Sequence, residues 1–393
     1  MPFVLPPSVL ETDELVLVLS FGRLSVLEAC TVLEGSVLQA EAPNERVSVI
    51  HVNHPPIERI PELSGVHKCA PLAIKLDSPP GDMKELVGLM TAHLEDKSNI
   101  SLSGYEVGED DYEDLVRSVL DRIREAGFKK VRLLRPQGNE LLSEQVLARE
   151  ALDVIAFPYH GGFGLGPTAW VPDSASMRQR GTRKPALHSD IALSPRLART
   201  LVNLADLRPG QTVLDPFCGT GTILIEAYEK SLRCLGLDSR AARVQEAREN
   251  LRWYAGGMAD RGYDIRKGDA RELPRLLRGT KVDAIVTEPF LLPRLDARPK
   301  TSTAQAMVKD SAEVYNDALA SMAESIHLDG RIVVVVPVIQ TMDGDEVTLT
   351  LEGRKLGLRL FQPGPVGFEY PVRLSFESTR WIRRAVYVFE PRS

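Results

Sequence analysis

The sequence predicts a doubly wound α/β domain in the C-terminal half of the chain, preceded by an α+β region. Two observations predict it. Apolar strands alternate strictly with helical segments from residue 212 onward, and a glycine-rich turn joins the first of those strands directly to a helix. Alternating strands and helices form a mostly parallel sheet that helices cover on both faces. The 393 residues suffice for two or three domains, each with its own core.

The first 155 residues are expected to form the α+β region, with a sub-boundary at the breaker over residues 77–82. Apolar runs and helical spacing predict strands over 15–19, 47–52, 100–102 and 131–134, and helices over 23–33, 83–94, 112–126 and 144–152. Ser143 is the expected N-cap of the last helix. Crowded glycines at 161–166 then predict a glycine-rich, basic linker over 156–190, with short strands near 168–171.

The predicted α/β domain covers residues 191–393. Ser194 and Pro195 begin its first helix, which runs to about Leu204 and has proline at the first helical position. Further helices are expected over 222–230, 240–254 and 303–327, and strands over 212–214, 234–237, 264–266, 284–286 and 332–336. The last two strands, 358–361 and 385–389, have no predicted helix between them, so they are expected to pair antiparallel at one edge of the sheet.

The composition is that of an ordinary globular protein, with 43% hydrophobic and 26% charged residues. No run approaches the roughly 18 consecutive apolar residues that a membrane span needs, and the first residues lack the pattern of a signal peptide. The four cysteines are far apart and form no Cys-x-x-Cys pair, which argues against a zinc site or a disulfide framework. These features predict a cytoplasmic protein without a membrane partner or a metal.

Two basic clusters bear on the question of a nucleic-acid partner. The formal net charge of −6 argues weakly against one, because phosphate contacts need lysine and arginine, but local charge matters more than the total. The clusters are Lys129, Lys130, Arg132 and Arg135, and then Arg178, Arg180, Arg183 and Lys184. A single cluster of this kind is typical of a solvated surface. Two clusters beside one α/β domain leave both interpretations open, a solvated surface and an RNA-binding surface.

The strongest chemical signal is the segment 213–222, in which an apolar strand runs through a glycine-rich turn into a helix. The glycines permit a ligand close to the backbone, and the helix N-terminus offers free N–H groups. A dinucleotide site needs a third glycine where Leu224 stands, and an acid at position 215 would repel a pyrophosphate. A cationic ligand such as S-adenosylmethionine fits better. The predicted cofactor-binding residues here are Asp215, Phe217, Gly219, Gly221 and Thr222.

Acidic residues also follow the next two predicted strands. Asp238 is placed to accept hydrogen bonds from ribose hydroxyls, and Asp269 to accept one from an adenine amine. Each acid by itself is typical of a solvated strand end. Together with Asp215 they would line the crevice in which doubly wound folds bind ligands, which favours the cofactor interpretation.

The fourth predicted strand of this domain ends in Thr287-Glu288-Pro289-Phe290. This segment resembles the Asp/Asn-Pro-Pro-Tyr/Phe motif of class I methyltransferases that act on amino groups. The turn Asp-Pro-Phe-Cys-Gly-Thr-Gly-Thr and the segment 184–205 resemble those of the THUMP-containing RNA guanine-N2 methyltransferases, which include enzymes that modify tRNA position ten. The resemblance implies a Rossmann-like class I methyltransferase domain, a THUMP-like RNA-binding region before it, S-adenosylmethionine as cofactor and tRNA as substrate.

The candidate catalytic residues are therefore Thr287, Glu288, Pro289 and Phe290, although the motif has one proline and a glutamate where the family has two prolines and Asp or Asn. Either Glu288 takes the acid's place, or Phe290 keeps the aromatic's place and Thr287 is the polar residue. Such a site must orient a weakly nucleophilic amine and accept its protons while an aromatic ring stacks on the extruded base. A glutamate can accept both N1–H and N2–H of guanine, whereas adenine has no proton on N1.

The leading hypothesis is methylation of an exocyclic base amine in RNA, with guanine N2 in tRNA as the target. Two alternatives stay open, namely amine methylation of another base or of rRNA, and a non-catalytic RNA-binding relative of such enzymes. The structural alternative for the motif is a solvated Glu288 beside a core Phe290. A nicotinamide dehydrogenase is disfavoured by Leu224 and by the lack of a recognisable catalytic His or Tyr constellation. A small activator subunit is left open as a partner.

Overall fold

The computed structural model describes residues 4–33, 35–78, 81–187, 193–256, 262–290, 292, 295, 297–375 and 381–392. They divide into two units: unit 1 is Met1–Ala175 with Pro363–Val366, and unit 2 is Ser176–Gln362 with Gly367–Ser393. Within the described residues, no helix is both long enough and apolar enough to cross a membrane. The expected boundary at 190/191, and residues 79 and 80 of the expected sub-boundary, lie outside the described residues.

Unit 1 contains nine strands among its described residues: β1 (Glu14–Leu19), β2 (Val37–Glu41), β3 (Val47–Val52), β4 (Val66–Pro71), β5 (Ile74–Leu76), β6 (Asn99–Gly104), β7 (Arg132–Leu133), β8 (Ala151–Tyr159) and β9 (Gly162–Pro167). Its helices are α1 (Arg23–Val32), α2 (Lys84–Thr91), α3 (Glu109–Glu125) and α4 (Ser143–Ala148). The next helix, α5 (Ser174–Thr182), begins in unit 1 and continues into unit 2.

The strands of unit 1 form two sheets. The first is antiparallel, in the order β2-β3-β1-β4, and the second is mixed, in the order β5-β9-β8-β6-β7. The two sheets share a core in which Val16 and Val49 of the first sheet pack with Ile155 and Phe157 of the second. The α+β character expected for this part of the chain is confirmed.

The start of the expected linker is a β-hairpin instead, formed by β8 and β9 in the second sheet. Its glycines are explained by close backbone packing: a Cβ on Gly162 would lie 1.8 Å from the carbonyl oxygen of Leu76, and one on Gly166 would lie 1.9 Å from that of Pro71. The linker prediction is thus corrected for residues 156–167, because these glycines permit strand packing and do not mark a loss of structure. The short strands expected near 168–171 reduce to one bridge, at Trp170.

Helix α4 differs from its prediction at both ends. It begins at Ser143, and the Ser143 hydroxyl donates to the carbonyl oxygen of His67 at 2.7 Å rather than capping the helix. It ends at Ala148, and residues 151–152, which helical spacing assigned to the helix, begin β8. The N-cap prediction is wrong because a tertiary partner takes the hydroxyl that local sequence reserves for the helix.

Unit 2 contains strands β10 (Thr212–Asp215), β11 (Arg233–Asp238), β12 (Tyr263–Lys267), β13 (Val282–Thr287), β14 (Ile326–Gln340), β15 (Glu346–Thr348), β16 (Leu358–Leu360), β17 (Val372–Arg373) and β18 (Ile382–Pro391). Its helices after α5 are α6 (Pro195–Leu204), α7 (Thr222–Glu229), α8 (Ala241–Tyr254), α9 (Leu273–Leu276) and α10 (Thr301–Ser325). The expected start of α6 is confirmed, since the Ser194 side chain accepts from the Leu197 N–H at 3.2 Å.

The sheet of unit 2 has the order β12-β11-β10-β13-β14-β18-β16, and its first five strands are parallel. β18 lies antiparallel between β14 and β16, so the expected antiparallel pairing of the last two predicted strands is confirmed. From β10 the chain winds outward on one side through β11 and β12, and on the other through β13 and β14. The carboxyl ends of β10 and β13 therefore meet at a switch point, where doubly wound folds bind ligands.

The core of unit 2 fixes these strand ends. Leu214 of β10 and Ile285 of β13 pack in one cluster with Tyr315 and Leu319 of α10, and all four are buried. Full burial of an apolar side chain of this size stabilises a fold by roughly 1.5–3 kcal/mol. Asp215 at the end of β10 and Thr287 at the end of β13 are therefore held in place by well-packed strands.

Candidate active site

The glycine turn between β10 and α7 is held by contacts with β11. Gly219 and Gly221 have φ values of 52° and 80°, in the left-handed region that favours glycine. A Cβ on Gly221 would also lie 2.9 Å from a methyl carbon of Leu251. The Cys218 N–H donates to the carbonyl oxygen of Leu237 at 2.8 Å, and the Gly219 N–H donates to the Asp238 carboxylate at 3.2 Å. The shape of the turn is therefore set by the neighbouring strand as well as by its own glycines.

Asp215 ends β10 and is only 2% exposed. Its Oδ1 accepts from the Thr287 hydroxyl at 2.6 Å and from the Phe217 N–H at 3.1 Å. Burial raises the pKa of Asp215 to about 7; the charges of Asp238 and Glu288 act in the same direction, and the two hydrogen bonds oppose them. A buried carboxylate with so little compensation is a favourable place for a cation.

Asp238 and Asp269 both have partners in the protein. The Oδ1 of Asp238, at the end of β11, accepts from the Arg240 N–H at 2.9 Å, in addition to the contact with Gly219. Asp269 follows β12, where the Arg271 guanidinium lies 2.7 Å away and its hydrogen bond lowers the pKa of Asp269. A carboxylate has roughly four acceptor positions, so Asp238 can still accept from a ligand, whereas the backbone N–H and guanidinium of Arg271 already use those of Asp269. Within the described residues, no group of three or more His, Cys, Asp or Glu is arranged to hold a metal ion.

A segment that precedes α6 is tied to the glycine turn. The Lys184 ammonium donates to the Thr222 hydroxyl at 2.7 Å, and burial lowers the pKa of Lys184 to about 8. The Asn250 amide of α8 donates to the carbonyl oxygens of Ala186 and Thr220, both at 2.9 Å. These contacts place the segment against the expected cofactor site. Asn250 carries no local sequence signal, because it is an ordinary polar residue within a helix.

The four candidate catalytic residues lie at the carboxyl end of β13, next to Asp215. Thr287 is fully buried with its hydroxyl directed to Asp215, and Pro289 is also buried. Phe290 is 65% exposed, and its carbonyl oxygen accepts from the Tyr315 hydroxyl at 3.3 Å. Because the Thr287 hydroxyl is used inside the sheet, the geometry favours Glu288 as the polar group of the motif. The exposure of Phe290 does not fit the alternative in which it is a core residue.

Glu288 has a partner that the sequence analysis missed. The Nε–H of Arg384, on β18, donates to Glu288 Oε1. The side chains of Arg384 and Glu288 are 15% and 13% exposed, so water screens this ion pair only weakly. The two residues are 96 positions apart, and β14 lies between their strands. No local pattern could have indicated the pairing.

The structure divides the basic residues expected to contact RNA. Six are exposed: Lys129, Lys130, Arg132, Arg135, Arg178 and Arg183. Arg180 and Lys184 are 6% and 4% exposed, and the Arg180 guanidinium lies 2.6 Å from the buried Glu226 carboxylate of α7. The prediction is corrected for these two, because their charged groups are directed into unit 2 and are not placed to reach a phosphate. Sequence shows the spacing of arginines but not which side of α5 is buried.

Similarity to solved structures agrees with the topology of the sheet. The crystal structure of TrmN from Thermus thermophilus is similar to this chain with a TM-score of 0.53, at 22% identity, over 96% of this chain and 99% of that chain. At this level of identity the similarity shows the fold alone, which is that of the class I, Rossmann-like methyltransferases.

Sequence comparison gives partial matches to enzymes of two archaea and to one family model. The tRNA (guanine(10)-N2)-dimethyltransferase of Methanothermobacter thermautotrophicus is 38% identical over 146 residues, which are 37% of this chain and 39% of that protein. The enzyme of the same name from Pyrococcus abyssi is 34% identical over 184 residues, 47% of this chain and 49% of that protein. The similarity thus spans less than half the length of each relative. Residues 180–343 match the model of the family described as UPF0020: RMKL-like, methyltransferase domain, and this part of the chain has the class I fold.

Proposed function

We propose that this protein is an S-adenosylmethionine-dependent methyltransferase that modifies an exocyclic base amine in RNA, with guanine N2 of tRNA as the target. The observation that carries the proposal is the arrangement at the switch point. There the buried Asp215 adjoins a motif in which Glu288 offers an acceptor and Phe290 an exposed ring. The names of the two archaeal relatives support guanine N2 and tRNA as the substrate class.

The residues around the glycine turn fit S-adenosylmethionine. Asp215 offers a buried carboxylate to a cation, the turn brings backbone close to the crevice, and Asp238 retains acceptor positions for ribose hydroxyls. When bound, this cofactor supplies an electrophilic methyl group on a sulfonium centre. Phe217, Gly219, Gly221, Thr222 and Asp269 complete the proposed cofactor-binding set.

The catalytic motif would orient the base and accept its proton. Methyl transfer forms a nitrogen–carbon bond, breaks the carbon–sulfur bond and releases one proton from the amine. Glu288 is the proposed acceptor at N1–H and N2–H of guanine, and the carbonyl group of Pro289 is a second acceptor for the amine. Phe290 would stack on the extruded base, a contact worth about 1–3 kcal/mol. Thr287 supports this arrangement from inside the sheet through Asp215.

Unit 1 is proposed to be a THUMP-like RNA-binding region. Its exposed basic residues, Lys129, Lys130, Arg132 and Arg135, are candidates for phosphate contacts, as are Arg178 and Arg183 of unit 2. Two members of the first group also contact acids, since Lys130 lies 3.4 Å from Asp96 and Arg135 pairs with Glu113. Such exposed pairs are weak and can exchange partners. The cytoplasmic location and a small activator subunit stay predictions.

The test is methyl transfer from labelled S-adenosylmethionine to tRNA, followed by mass spectrometry of the nucleosides. N2-methylguanosine is the expected product, and a different methylated base would select the alternative substrate. Glu288→Gln should lose roughly 30- to 1,000-fold in rate while it keeps cofactor affinity, because one acceptor becomes a donor. Glu272→Gln, a change of the same kind at an exposed residue of unit 2, serves as the control. A wild-type protein that binds RNA and cofactor but transfers no methyl group would contradict the proposal and favour the non-catalytic alternative.

A further inference from the structure

Arg384 reaches the catalytic motif from a strand that does not adjoin it. On β18, Arg384 lies opposite Pro337 of β14, while Thr287 of β13 lies opposite Val334 on the other side of β14. The arginine side chain therefore extends across β14 to reach Glu288. Both charged groups are largely buried, so removing either one would take a close opposite charge away from the other.

Glu288 lies in a partly buried, acidic environment. Burial is the main cause of the raised pKa values of Asp215 and of Tyr315 on α10, and the nearby charge of Glu288 raises both further. Two carboxyl groups that share a buried site do not both ionise readily, and one of them then retains a proton. Arg384 is the cation that offsets this repulsion at Glu288.

We propose that Arg384 is a positioning and specificity-determining residue, which holds the Glu288 carboxylate ionised and oriented toward the edge of the target base. The inference rests on the proposed function. An ionised carboxylate only accepts hydrogen bonds and suits the N1–H and N2–H edge of guanine. A protonated carboxyl group also donates one, which suits the unprotonated N1 of adenine. By keeping the proton off Glu288, Arg384 makes the site select guanine.

The Glu288 carboxylate can accept hydrogen bonds from Arg384 and from the edge of the target base at the same time. It has roughly four acceptor positions, and an arginine uses one or two of them. The Nε–H of Arg384 occupies a position on Oε1, and the remaining capacity is sufficient for a base edge. An arginine also keeps its charge over the whole range in which proteins are folded, so it cannot itself lose the proton. A purely structural brace between β13 and β18 would affect stability but not the pH profile or the choice of base.

The experiment compares Arg384→Met and Arg384→Lys with Arg383→Met, a neighbouring residue that contacts Gln340 instead. Single-turnover methyl transfer is measured at saturating cofactor from pH 5.5 to 8.5, on one RNA with guanine at the target and on a matched RNA with adenine there. Arg384→Met should lower the rate on guanine at least tenfold at pH 7 and move the acidic limb of the profile up by at least one pH unit. It should also lower the ratio of guanine to adenine rates.

Two further variants separate this role from others. Arg384→Lys should recover part of the rate and of the profile, because it restores the charge. In a Glu288→Gln background, Arg384→Met should cost less than threefold, because no carboxylate is left to orient. Cofactor affinity and the Arg383→Met enzyme should stay within twofold of wild type. The inference alone would be overturned by an Arg384→Met profile superimposable on wild type, by an Arg384→Lys enzyme no better than Arg384→Met, or by an Arg384→Met effect that is as large in the Glu288→Gln background as in wild type. A wild type without methyl transfer would instead overturn the proposed function.

Discussion

Cofactor affinity is expected to fall as the pH drops below about 7, because Asp215 must lose its proton before it can bind a cation. Burial holds the pKa of Asp215 at about 7, against a usual value of 3.8. The carboxylate form is then about nine-tenths of the population at one pH unit above that value and about one-tenth at one unit below it. Affinity for S-adenosylmethionine should therefore weaken about tenfold per pH unit on the acidic side.

The raised pKa of Asp215 also determines how this residue affects the free energy of unfolding at different pH values. About three pKa units correspond to roughly 4 kcal/mol of differential interaction, in favour of the protonated form in the folded state. Between pH 4 and 7 the folded protein holds a proton on Asp215 that the unfolded chain has lost. The contribution of Asp215 to the free energy of unfolding must then decrease as the pH rises through that window. A cation bound beside the carboxylate should recover part of this loss at neutral pH.

Calorimetric titration with S-adenosylmethionine from pH 5.5 to 7.0, in buffers of different ionisation enthalpy, measures both the affinity and the protons released. Two other groups near the site titrate above this pH range, so they do not account for a slope within it. They are the Lys184 ammonium, with a pKa of about 8, and the α-amino group of the cofactor, if its pKa is that of a free α-amino group. Asp215→Asn should bind more weakly at pH 7 and show no slope between pH 5.5 and 7.0. Wild-type affinity that is constant over the window, or a variant with the wild-type slope, would refute the role assigned to Asp215.

Three other substitutions test base stacking, a buried ion pair and a phosphate contact. Phe290→Ala should raise the KM for RNA about 5- to 150-fold, as expected for a lost base stack. Truncation of Leu328, which is also largely exposed, should not raise it, and equal effects of the two changes would argue against stacking. Arg180→Met should lower the free energy of unfolding by about 1–3 kcal/mol in chemical denaturation, because the buried Glu226 then keeps only its 3.1 Å contact with Arg199. A loss of RNA affinity at unchanged stability would instead favour an RNA contact at Arg180. Arg132→Ala should weaken RNA binding and reduce by about one unit the slope of log binding constant against log salt concentration. Lys84→Ala is the exposed control in unit 1. Identical slopes for the wild type and both variants would exclude a phosphate contact at Arg132.

The parallel sheet of unit 2 could be predicted because its strands are continuous apolar runs that alternate with helices. Strand β4 of unit 1 could not be predicted from the sequence, because it contains Lys68. Sequence analysis treats a lysine as a surface residue, but Lys68 is fully buried and its ammonium lies 2.7 Å from the Asp153 carboxylate. A buried ion pair interrupts the apolar pattern of a strand without interrupting the strand itself.

In the candidate site, too, some residues could be predicted from the local sequence, whereas others are placed by packing and strand order. Asp215 and Asp238 were predictable because each ends a parallel strand, and parallel strands bring their carboxyl ends to one edge. The assignment of Lys184 to RNA failed because its exposure depends on packing against α7, which the sequence does not show. Arg384 was missed because strand order alone brings β18 within reach of β13.

Asp215, Glu288 and Asp238, at or just after the carboxyl ends of three strands of the parallel sheet, differ in what neutralises them, and this difference supports their proposed roles. Asp238 accepts from two backbone N–H groups and also lies 3.6 Å from the Arg240 guanidinium, so its charge is compensated and its free acceptor positions suit neutral hydroxyls. Glu288 is neutralised by an arginine, which allows an ionised acceptor beside a neutral base. Asp215 accepts hydrogen bonds from the Thr287 hydroxyl and the Phe217 N–H, and burial keeps its pKa at about 7. Of these three acids, Asp215 is the one that the protein compensates least, which supports our proposal that the cationic part of the cofactor binds beside it.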